Sequence, residues 1–304
     1  MNKQFKVWKE ATRPRTLPVS VSGVLIAIGL TKWAGGFSWA PAILCLVFAL
    51  LAQIVSNFAN EYYDFESGAD KKGRAGFRRG VTEGDIKPET MKRVMFIVLG
   101  IDLLIGLCML LTVEPEPWFQ NWLMLIGVGI VVALGLLAYS TGPYPLSYHA
   151  LGEVAVFLFY GIVPVVFTYY VITGSFSPFA LMASMCIGFM GVNVLLVNNY
   201  RDVADDREAG KRTSVVVFGR PAASAAYLIN GLMGISLLSA LWVRLCYSLT
   251  PWVLVAPAIY LVLHCATWAK LRRSDGAALN PLLGATARNM LIFTVILVAF
   301  LIFA

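Results

Sequence analysis

Two acidic clusters contain the residues of this chain that are best suited to chemistry. The first, NFANEYYDFESGAD at residues 57–70, follows an apolar run at residues 40–56 that has no charged residue. The second is NNYRDVADDREAGKRT at residues 198–213. Carboxylate and amide oxygens suit Mg²⁺, which commonly takes one or two protein carboxylates while bridging to substrate phosphates. Together the clusters therefore predict a magnesium site that holds a diphosphate.

Helical spacing places the acids and amides of each cluster on one face. Side chains three or four residues apart lie above one another in a helix of 3.6 residues per turn. In the first cluster this set is Asn57, Asn60 or Glu61, and Asp64. In the second it is Asn198, Asp202 and Asp206. Asp70 follows Gly68, where the first helix could end.

Basic residues are interleaved with these acids and are suited to neutralising phosphate charge. They are Arg79, Arg201, Lys211 and Arg212. A single charged cluster at a helix end is often only a solvated face. Two clusters with matched Asn-x-x-x-Asp spacing favour a functional pair instead, because carboxylates at membrane depth are costly unless they have partners.

The elements that position these clusters are apolar enough to cross a membrane. Of the 304 residues, 59% are hydrophobic and 13% are charged, against about 45–50% and 25% in an average soluble protein. Nine stretches approach the length needed to span the bilayer as helices. They are residues 17–34, 39–60, 90–112, 120–139, 151–172, 178–200, 222–246, 251–269 and 284–303. This predicts an all-α integral membrane protein of about nine transmembrane helices, in a single domain over residues 1–304.

The positions of Lys and Arg predict the orientation. With a cytoplasmic N-terminus, all but Lys32 and Arg244 of the 24 Lys and Arg lie on the cytoplasmic side. The positive-inside rule then puts both charged loops in the cytoplasm and the C-terminus outside, and we expect a bacterial inner membrane. The formal net charge of +7 is a topology signal with some attraction to membrane lipid, and it gives no reason to expect a nucleic acid partner. The five cysteines, without a CxxC pair, are expected to be packing residues.

The motifs resemble those of the UbiA superfamily of intramembrane aromatic prenyltransferases. The resemblance rests on both acidic clusters, on RPRTLP at 13–18, on RRGVTEGDI at 78–86 and on LNPLLGATARN at 279–289. It favours the menaquinone branch, which prenylates 1,4-dihydroxy-2-naphthoate. It implies helices around a central cavity, with short helices capping it in the two charged loops. It also implies that Mg²⁺ ionises a polyprenyl diphosphate and that the naphthoate captures the allylic cation and loses CO₂, which yields demethylmenaquinone.

The resemblance also implies roles for individual residues. The metal ligands would be Asn60, Asp64, Asp70, Asp202 and Asp206, supported by Asn57 and by Asn198 or Asn199. Arg79, Arg201 and Lys211 would contact the diphosphate or fix the cluster, and Arg13 of the RPRTLP motif would bind substrate. Residues 139–153 lack the Lys that several relatives have near Ser147. The candidates for activating the acceptor there are Tyr139, Tyr148, His149 and Glu153.

Glu61 and the two histidines have alternative interpretations. Glu61 stands where the superfamily usually has Asp, and its longer side chain could shift a metal or support the ligands from behind. His149 is at least as well explained as an interfacial histidine. His264 lies within an apolar span without an acidic neighbour, so we interpret it as packing or as a helix-to-helix hydrogen bond.

The sequence leaves other functions open. A sibling enzyme would prenylate 4-hydroxybenzoate, homogentisate or haem. A phosphotransferase of the CDP-alcohol type would need a dense Asp-Gly-Ala-Arg motif, which the sequence lacks. A cation-coupled transporter would place ionisable residues at mid-membrane, whereas here they cluster at one predicted surface.

Overall fold

Helices form most of the computed structural model, which describes residues 3–113, 118–246 and 255–303. They are α1 (Lys3–Ala11), α2 (Leu17–Trp33), α3 (Trp39–Glu66), α4 (Pro88–Leu110), α5 (Trp118–Ser140), α6 (Gly152–Val156), α7 (Val163–Thr173), α8 (Pro178–Glu208), α9 (Ser214–Cys246), α10 (Val255–Leu271) and α11 (Asn280–Phe303). A π-helical segment, Phe157–Ile162, joins α6 to α7, and 3₁₀ turns lie at Leu146–Tyr148 and Gly276–Leu279.

Seven helical segments in the described part of the chain are long and apolar enough to cross a membrane. They are Trp39–Glu66, Pro88–Leu110, Gln120–Ser140, Gly152–Thr173, Pro178–Glu208, Ser214–Leu241 and Gly276–Phe303. The two other predicted spans coincide with the shorter apolar helices α2 and α10. The prediction of a helical membrane protein is confirmed, and the count of nine crossings stays a prediction.

The two acidic clusters lie at the ends of long helices. Helix α3 has 28 residues and α8 has 31, so at 1.5 Å per residue α8 is about 46 Å long. This exceeds the roughly 30 Å of the hydrocarbon core. The last turns of α8 can therefore extend beyond the apolar layer, where placing a carboxylate costs less free energy.

Helix α8 lies at the centre of the fold. In its most apolar window 72% of the residues are buried, against 6% in α5. Its neighbours are α9, α11, α7 and the π-helical segment, while α3 packs against α2, α4 and α5. The second acidic cluster is thus held by the best-packed helix, and α5 forms part of the periphery.

The expected short helix in the first charged loop is absent, which corrects the sequence-based prediction. Residues 67–87 form turns until Pro88 starts α4. Gly68 and Gly73 adopt left-handed backbone conformations, with φ of 71° and 83°, and such residues end a helix rather than extend it. After the second cluster, residues 214–218 do form a short helical segment, which Gly219 separates from the rest of α9.

The structural interpretation of His264 is confirmed. Its ring is buried and stacks between Tyr227 and Tyr260, with centroid distances of 4.7 and 5.4 Å. Its Nε2 lies 3.4 Å from the carbonyl oxygen of Leu228 in α9, so it joins α10 to α9. Among the cysteines, Cys45 and Cys186 are buried free thiols, Cys265 is partly buried and Cys108 is exposed. The side chain of Cys246 lies outside the described residues.

Candidate active site at the ends of α3 and α8

A cavity of about 530 Å³ lies among α2, α3, α4, α5, α7 and α8. Most of its wall is apolar, with residues such as Val24, Phe48 and Leu107. Its polar lining residues include Arg13, Asn57, Asn60, Tyr139 and Asn198. Because Asn60 also contacts Asp64, the cavity leads to the first acidic cluster, and the expectation of a central cavity is confirmed.

The structure brings the two acidic clusters together through two cations. Arg74 pairs with Asp70 through Nη1, and its Nη2 donates to Asp202 Oδ2 at 2.8 Å. Lys211 Nζ donates to Asp64 Oδ1 at 2.7 Å. Arg74 follows the first cluster in sequence and Lys211 belongs to the second, and each pairs with an acid of the other cluster. This crossed pairing holds α3 and α8 together at the site.

The amide of Asn60 connects the first cluster to two arginines. Its Nδ2 donates to Asp64 Oδ2 at 3.0 Å. Its Oδ1 accepts from Arg13 at 2.6 Å and from Arg79 at 3.3 Å. The Arg79 Nε also lies 3.3 Å from Asp70 Oδ2. Asn60 is therefore among the acids, as predicted, but its amide oxygen faces arginine side chains.

Asn57 lies one turn earlier and makes a different set of contacts. Its Nδ2 donates to the Thr12 carbonyl oxygen at 2.9 Å and to Thr16 Oγ1 at 3.3 Å, and its Oδ1 accepts from Gln53. It ties α3 to the segment between α1 and α2. Asn57 thus lines the cavity, and its hydrogen-bond partners in the described structure are Thr12, Thr16 and Gln53 rather than the acids.

In the second cluster, Arg201 fixes the carboxylate of Asp202. Its Nε and Nη2 donate to the two oxygens of Asp202 at 2.6 and 2.7 Å, a bidentate pair. The same guanidinium donates to Asn198 at 2.7 Å and to Asn280 at 3.0 Å. Asn199 instead donates to Glu153 Oε1 at 3.1 Å. Of the two alternatives left by the sequence, Asn198 is therefore the one that contacts Arg201 of the cluster.

Tyr148 approaches the acids from the loop after α5. Its hydroxyl donates to Asp64 Oδ1 at 3.3 Å and lies 3.0 Å from Ser67 Oγ. Lys211 Nζ lies 4.8 Å from the centre of its ring. Arg212 reaches the same loop through its backbone amide, which donates to the Tyr148 carbonyl oxygen. Tyr148 therefore belongs to the cluster itself.

The other three acceptor candidates have different surroundings. Tyr139 lines the cavity. Glu153 accepts hydrogen bonds from Asn199 and from Ser214. His149 stacks on Tyr144 at a centroid distance of 3.6 Å, and its Nδ1 lies 2.8 Å from the Pro145 carbonyl oxygen. These contacts fit a structural role for His149.

Burial shapes the electrostatics of the loops beside the site. Burial raises the pKa of Asp70 to about 6, with Arg74 opposing the shift and Asp64 adding to it. Burial lowers the pKa of Lys211, but Asp64 and Tyr148, with a smaller contribution from Asp206, outweigh this, so the pKa lies above its usual value. Lys211 is thus a permanent cation among carboxylates.

Glu61 does not join the other acids. It is buried, and its Oε1 accepts a hydrogen bond from the Val81 amide at 3.0 Å. Burial lowers the pKa of Arg13, and the charge of Glu61 partly offsets that effect. The extra methylene of Glu61 lets it reach the backbone of the first charged loop, which favours the supporting role over the metal-shifting one.

The donor set fits Mg²⁺ in its chemistry. Asp64, Asp70, Asp202 and Asp206 are buried carboxylates, and in the described part of the chain Asp70 Oδ2 makes no hydrogen bond. Within the described residues no three His, Cys, Asp or Glu side chains converge closely enough to form a metal centre. Mg²⁺ needs only one or two protein carboxylates when waters and phosphates complete its shell. The site is therefore suited to a metal that arrives with a diphosphate.

One site residue escaped prediction from the sequence. Arg74 stands in KKGRAG between the two acidic clusters, four residues after Asp70. In a loop of turns that spacing identifies no partner, since the i,i+4 rule applies to helices. Only the folded loop shows that its guanidinium joins Asp70 to Asp202.

Comparison with known proteins decides the family. The model of the UbiA prenyltransferase family matches residues 20–291. The chain belongs to this family. It is 31% identical over 297 residues to the 1,4-dihydroxy-2-naphthoate octaprenyltransferase of Escherichia coli (strain K12), covering 96% of this chain and 94% of that protein. The enzyme of the same name from Mycobacterium tuberculosis (strain ATCC 25618 / H37Rv) is 31% identical over 95% of this chain and 94% of that protein. These relatives confirm the resemblance to the menaquinone branch.

Solved structures confirm the UbiA fold. A UbiA homolog from Aeropyrum pernix K1 superposes with a TM-score of 0.66 at 15% identity, covering 96% of each chain. A UbiA homolog from Archaeoglobus fulgidus, bound to DMAPP and Mg²⁺, gives a TM-score of 0.64 at 14% identity, covering 98% of this chain and 99% of that one.

Proposed function

We propose that this UbiA-family protein transfers a polyprenyl group from an allylic polyprenyl diphosphate to 1,4-dihydroxy-2-naphthoate. The carbon–oxygen bond to diphosphate breaks, the ring carbon that bears the carboxylate forms the new carbon–carbon bond, and CO₂ leaves its electron pair to restore the aromatic ring. The product has the demethylmenaquinone skeleton. The observation that carries this proposal is the junction of two buried acidic clusters beside the polar lining of an apolar cavity. The names of the relatives support the choice of acceptor.

The diphosphate would bind where the clusters meet. Arg79, Arg201 and Lys211 are positioned to donate to its oxygens, and charge-assisted bonds of this kind are among the strongest in proteins. Asn60, Asp64, Asp70, Asp202 and Asp206 would hold Mg²⁺. When bound, Mg²⁺ supplies Lewis acidity that stabilises the departing diphosphate. The support comes from the contacts of Asn60, Asp64, Asp70 and Asp202 and from the burial of Asp206 near the end of α8.

The prenyl tail would occupy the apolar part of the cavity. An allylic cation reacts with any water nearby, so the apolar wall protects it until the ring attacks. Tyr139 lines this cavity, and Tyr148 lies against Asp64. We propose that these two hydroxyls orient the acceptor and that Glu153 positions the start of α6 and α9 through Asn199 and Ser214.

The proposed setting is a bacterial inner membrane. A single domain with nine crossings would put the N-terminus, the two charged loops and the active site on the cytoplasmic side and the C-terminus outside. The distribution of Lys and Arg supports this orientation. Single cysteines introduced into each loop and labelled in intact cells measure this orientation directly.

A comparison of acceptors tests the function. Purified protein is supplied with Mg²⁺, a polyprenyl diphosphate and one acceptor at a time: 1,4-dihydroxy-2-naphthoate, 4-hydroxybenzoate or homogentisate. We expect a prenylated, decarboxylated product with the naphthoate and release of CO₂ in equal amount. Activity with another acceptor and none with the naphthoate would refute the choice of acceptor. Cation flux in proteoliposomes without turnover of the diphosphate would favour a transporter.

A further inference from the structure

Arg74 occupies the place where the two acidic clusters meet. Its two terminal nitrogens contact different carboxylates, Asp70 on the loop after α3 and Asp202 on α8. All three side chains are largely buried, with side-chain exposures of 13%, 3% and 2%. A guanidinium in this position supplies the positive charge that two buried carboxylates need.

Arg201, the other arginine that pairs with Asp202, is held differently. Arg201 lies on α8, pairs with the adjacent Asp202, and is also held by Asn198 and Asn280. Arg74, by contrast, comes from a loop of turns, and its buried Nε has no hydrogen-bond partner among the residues that the structure describes. Its attachment to the site therefore depends mainly on the two carboxylates.

Space for a displaced guanidinium lies next to it. A pocket of about 180 Å³ is lined by Arg74 itself and by its loop neighbours Lys71, Arg78, Arg79 and Thr82, among others. Lys71 and Arg78 already pair with other acids, Glu208 and Asp85. The loop thus gives Arg74 a place to move to when the carboxylates acquire another partner.

We propose that Arg74 is an internal counter-ion that competes with the divalent metal for Asp70 and Asp202 and leaves them when the metal binds. The inference rests on the proposed function, because it concerns the same carboxylates. It adds that metal loading displaces Arg74 and thereby rearranges the first charged loop. In the unloaded protein the carboxylates remain neutralised, and loading requires their release from Arg74.

Metal affinity measured without turnover tests the proposal. Mn²⁺ serves as the probe, because it also prefers oxygen ligands, and its binding to purified protein is followed by electron paramagnetic resonance. Arg74→Gln should tighten Mn²⁺ binding by about tenfold or more, the equivalent of one lost charged hydrogen bond. Arg74→Lys should fall between this variant and the wild type, because an ammonium lacks the fork that joins two carboxylates.

Arg78→Gln is the matched control. It removes one positive charge from the same loop, but Arg78 pairs with Asp85, and Mn²⁺ affinity should stay within about twofold, since a half-exposed charge is well screened. Unchanged or weaker Mn²⁺ binding in Arg74→Gln would overturn the proposal. Undiminished Mn²⁺ binding in Asp202→Asn would instead refute the proposed metal site, so the two failures are distinguishable.

Chemical footprinting gives a second test on the wild-type protein, which does not depend on the folding of a variant. Phenylglyoxal modifies accessible arginines, and mass spectrometry reports the extent at Arg74 relative to Arg78. Saturating Mn²⁺ should raise the reactivity of Arg74 several-fold over that with EDTA, while Arg78 stays constant. Equal reactivity of Arg74 in both conditions would show that metal binding does not displace it.

Discussion

Shortening Glu61 should detach the first charged loop from α3. Glu61→Asp withdraws the carboxylate by about one carbon–carbon bond, roughly 1.5 Å. The 3.0 Å distance from Oε1 to the Val81 amide would then grow to about 4.5 Å, beyond hydrogen-bonding range. Val81 is 3% exposed, so water cannot readily take the place of the carboxylate.

A hydrogen bond to a charged group contributes about 1.5–3 kcal/mol, which corresponds to about a 10- to 150-fold change in an equilibrium. We therefore expect the Val81 amide to exchange with deuterium about 10- to 150-fold faster in Glu61→Asp. Hydrogen exchange of the peptide that contains Val81, read by mass spectrometry, measures this rate. Glu66→Asp is the matched control: the same change in the same cluster, on an exposed side chain.

A second variant separates the supporting role of Glu61 from a metal-ligand role. Glu61→Gln keeps an oxygen that can accept from Val81 but removes the charge. Mn²⁺ affinity should stay within about twofold of the wild type. If the Val81 amide of Glu61→Asp exchanged hydrogen at the same rate as in the wild type, the supporting role of Glu61 would be refuted. A drop in Mn²⁺ affinity of more than about tenfold in Glu61→Gln, the size expected when a metal's ligand sphere is disturbed, would identify Glu61 as part of that sphere.

Three further outcomes follow from the proposed metal site. Chelation with EDTA should abolish turnover, and added Mg²⁺ should restore it; full activity in EDTA would contradict the metal requirement. Turnover should fall to background in both Asp64→Ala and Asp202→Ala, while each variant stays folded and monodisperse in detergent. Near-normal activity in both variants would refute the paired site. Asp205→Ala should lower turnover by no more than about tenfold, because it removes one hydrogen bond from the Ala75 amide to a half-buried carboxylate, which contributes about 1.5 kcal/mol. Complete inactivity in the same assay would place Asp205 among the essential acids.

The helices and the meeting of the two clusters could be predicted because both depend on local periodicity. Apolar runs of spanning length fix α3 and α8, and residues spaced by three or four positions share a face whatever the rest of the fold does. Since both clusters follow even-numbered predicted spans, they had to lie on the same side. Asp64 and Lys211, 147 residues apart, are in fact in contact.

The remaining parts of the site depend on the conformation of a loop, which periodicity does not determine. Glycines with left-handed backbones turn the segment at residues 67–87 away from a helix. The sequence had instead predicted a short helix in this loop. One of the two partners of Arg74, Asp202, lies 128 residues away in sequence. The target of Glu61, the amide of Val81, is defined only when that loop packs against α3. Such contacts follow from tertiary structure, so the residue types alone could not assign them.

The crossed pairing of Arg74 with Asp202 and of Lys211 with Asp64 has a consequence for biogenesis. A nascent chain that has inserted α3 but not α8 presents its first acidic cluster without the lysine that neutralises Asp64. Each half of the protein thus completes the charge balance of the other. We expect the two halves, expressed as separate fragments divided between α5 and α6, to be degraded when alone and to accumulate when produced together. The carboxylates of the active site would then be fully neutralised only when both halves of the chain have assembled.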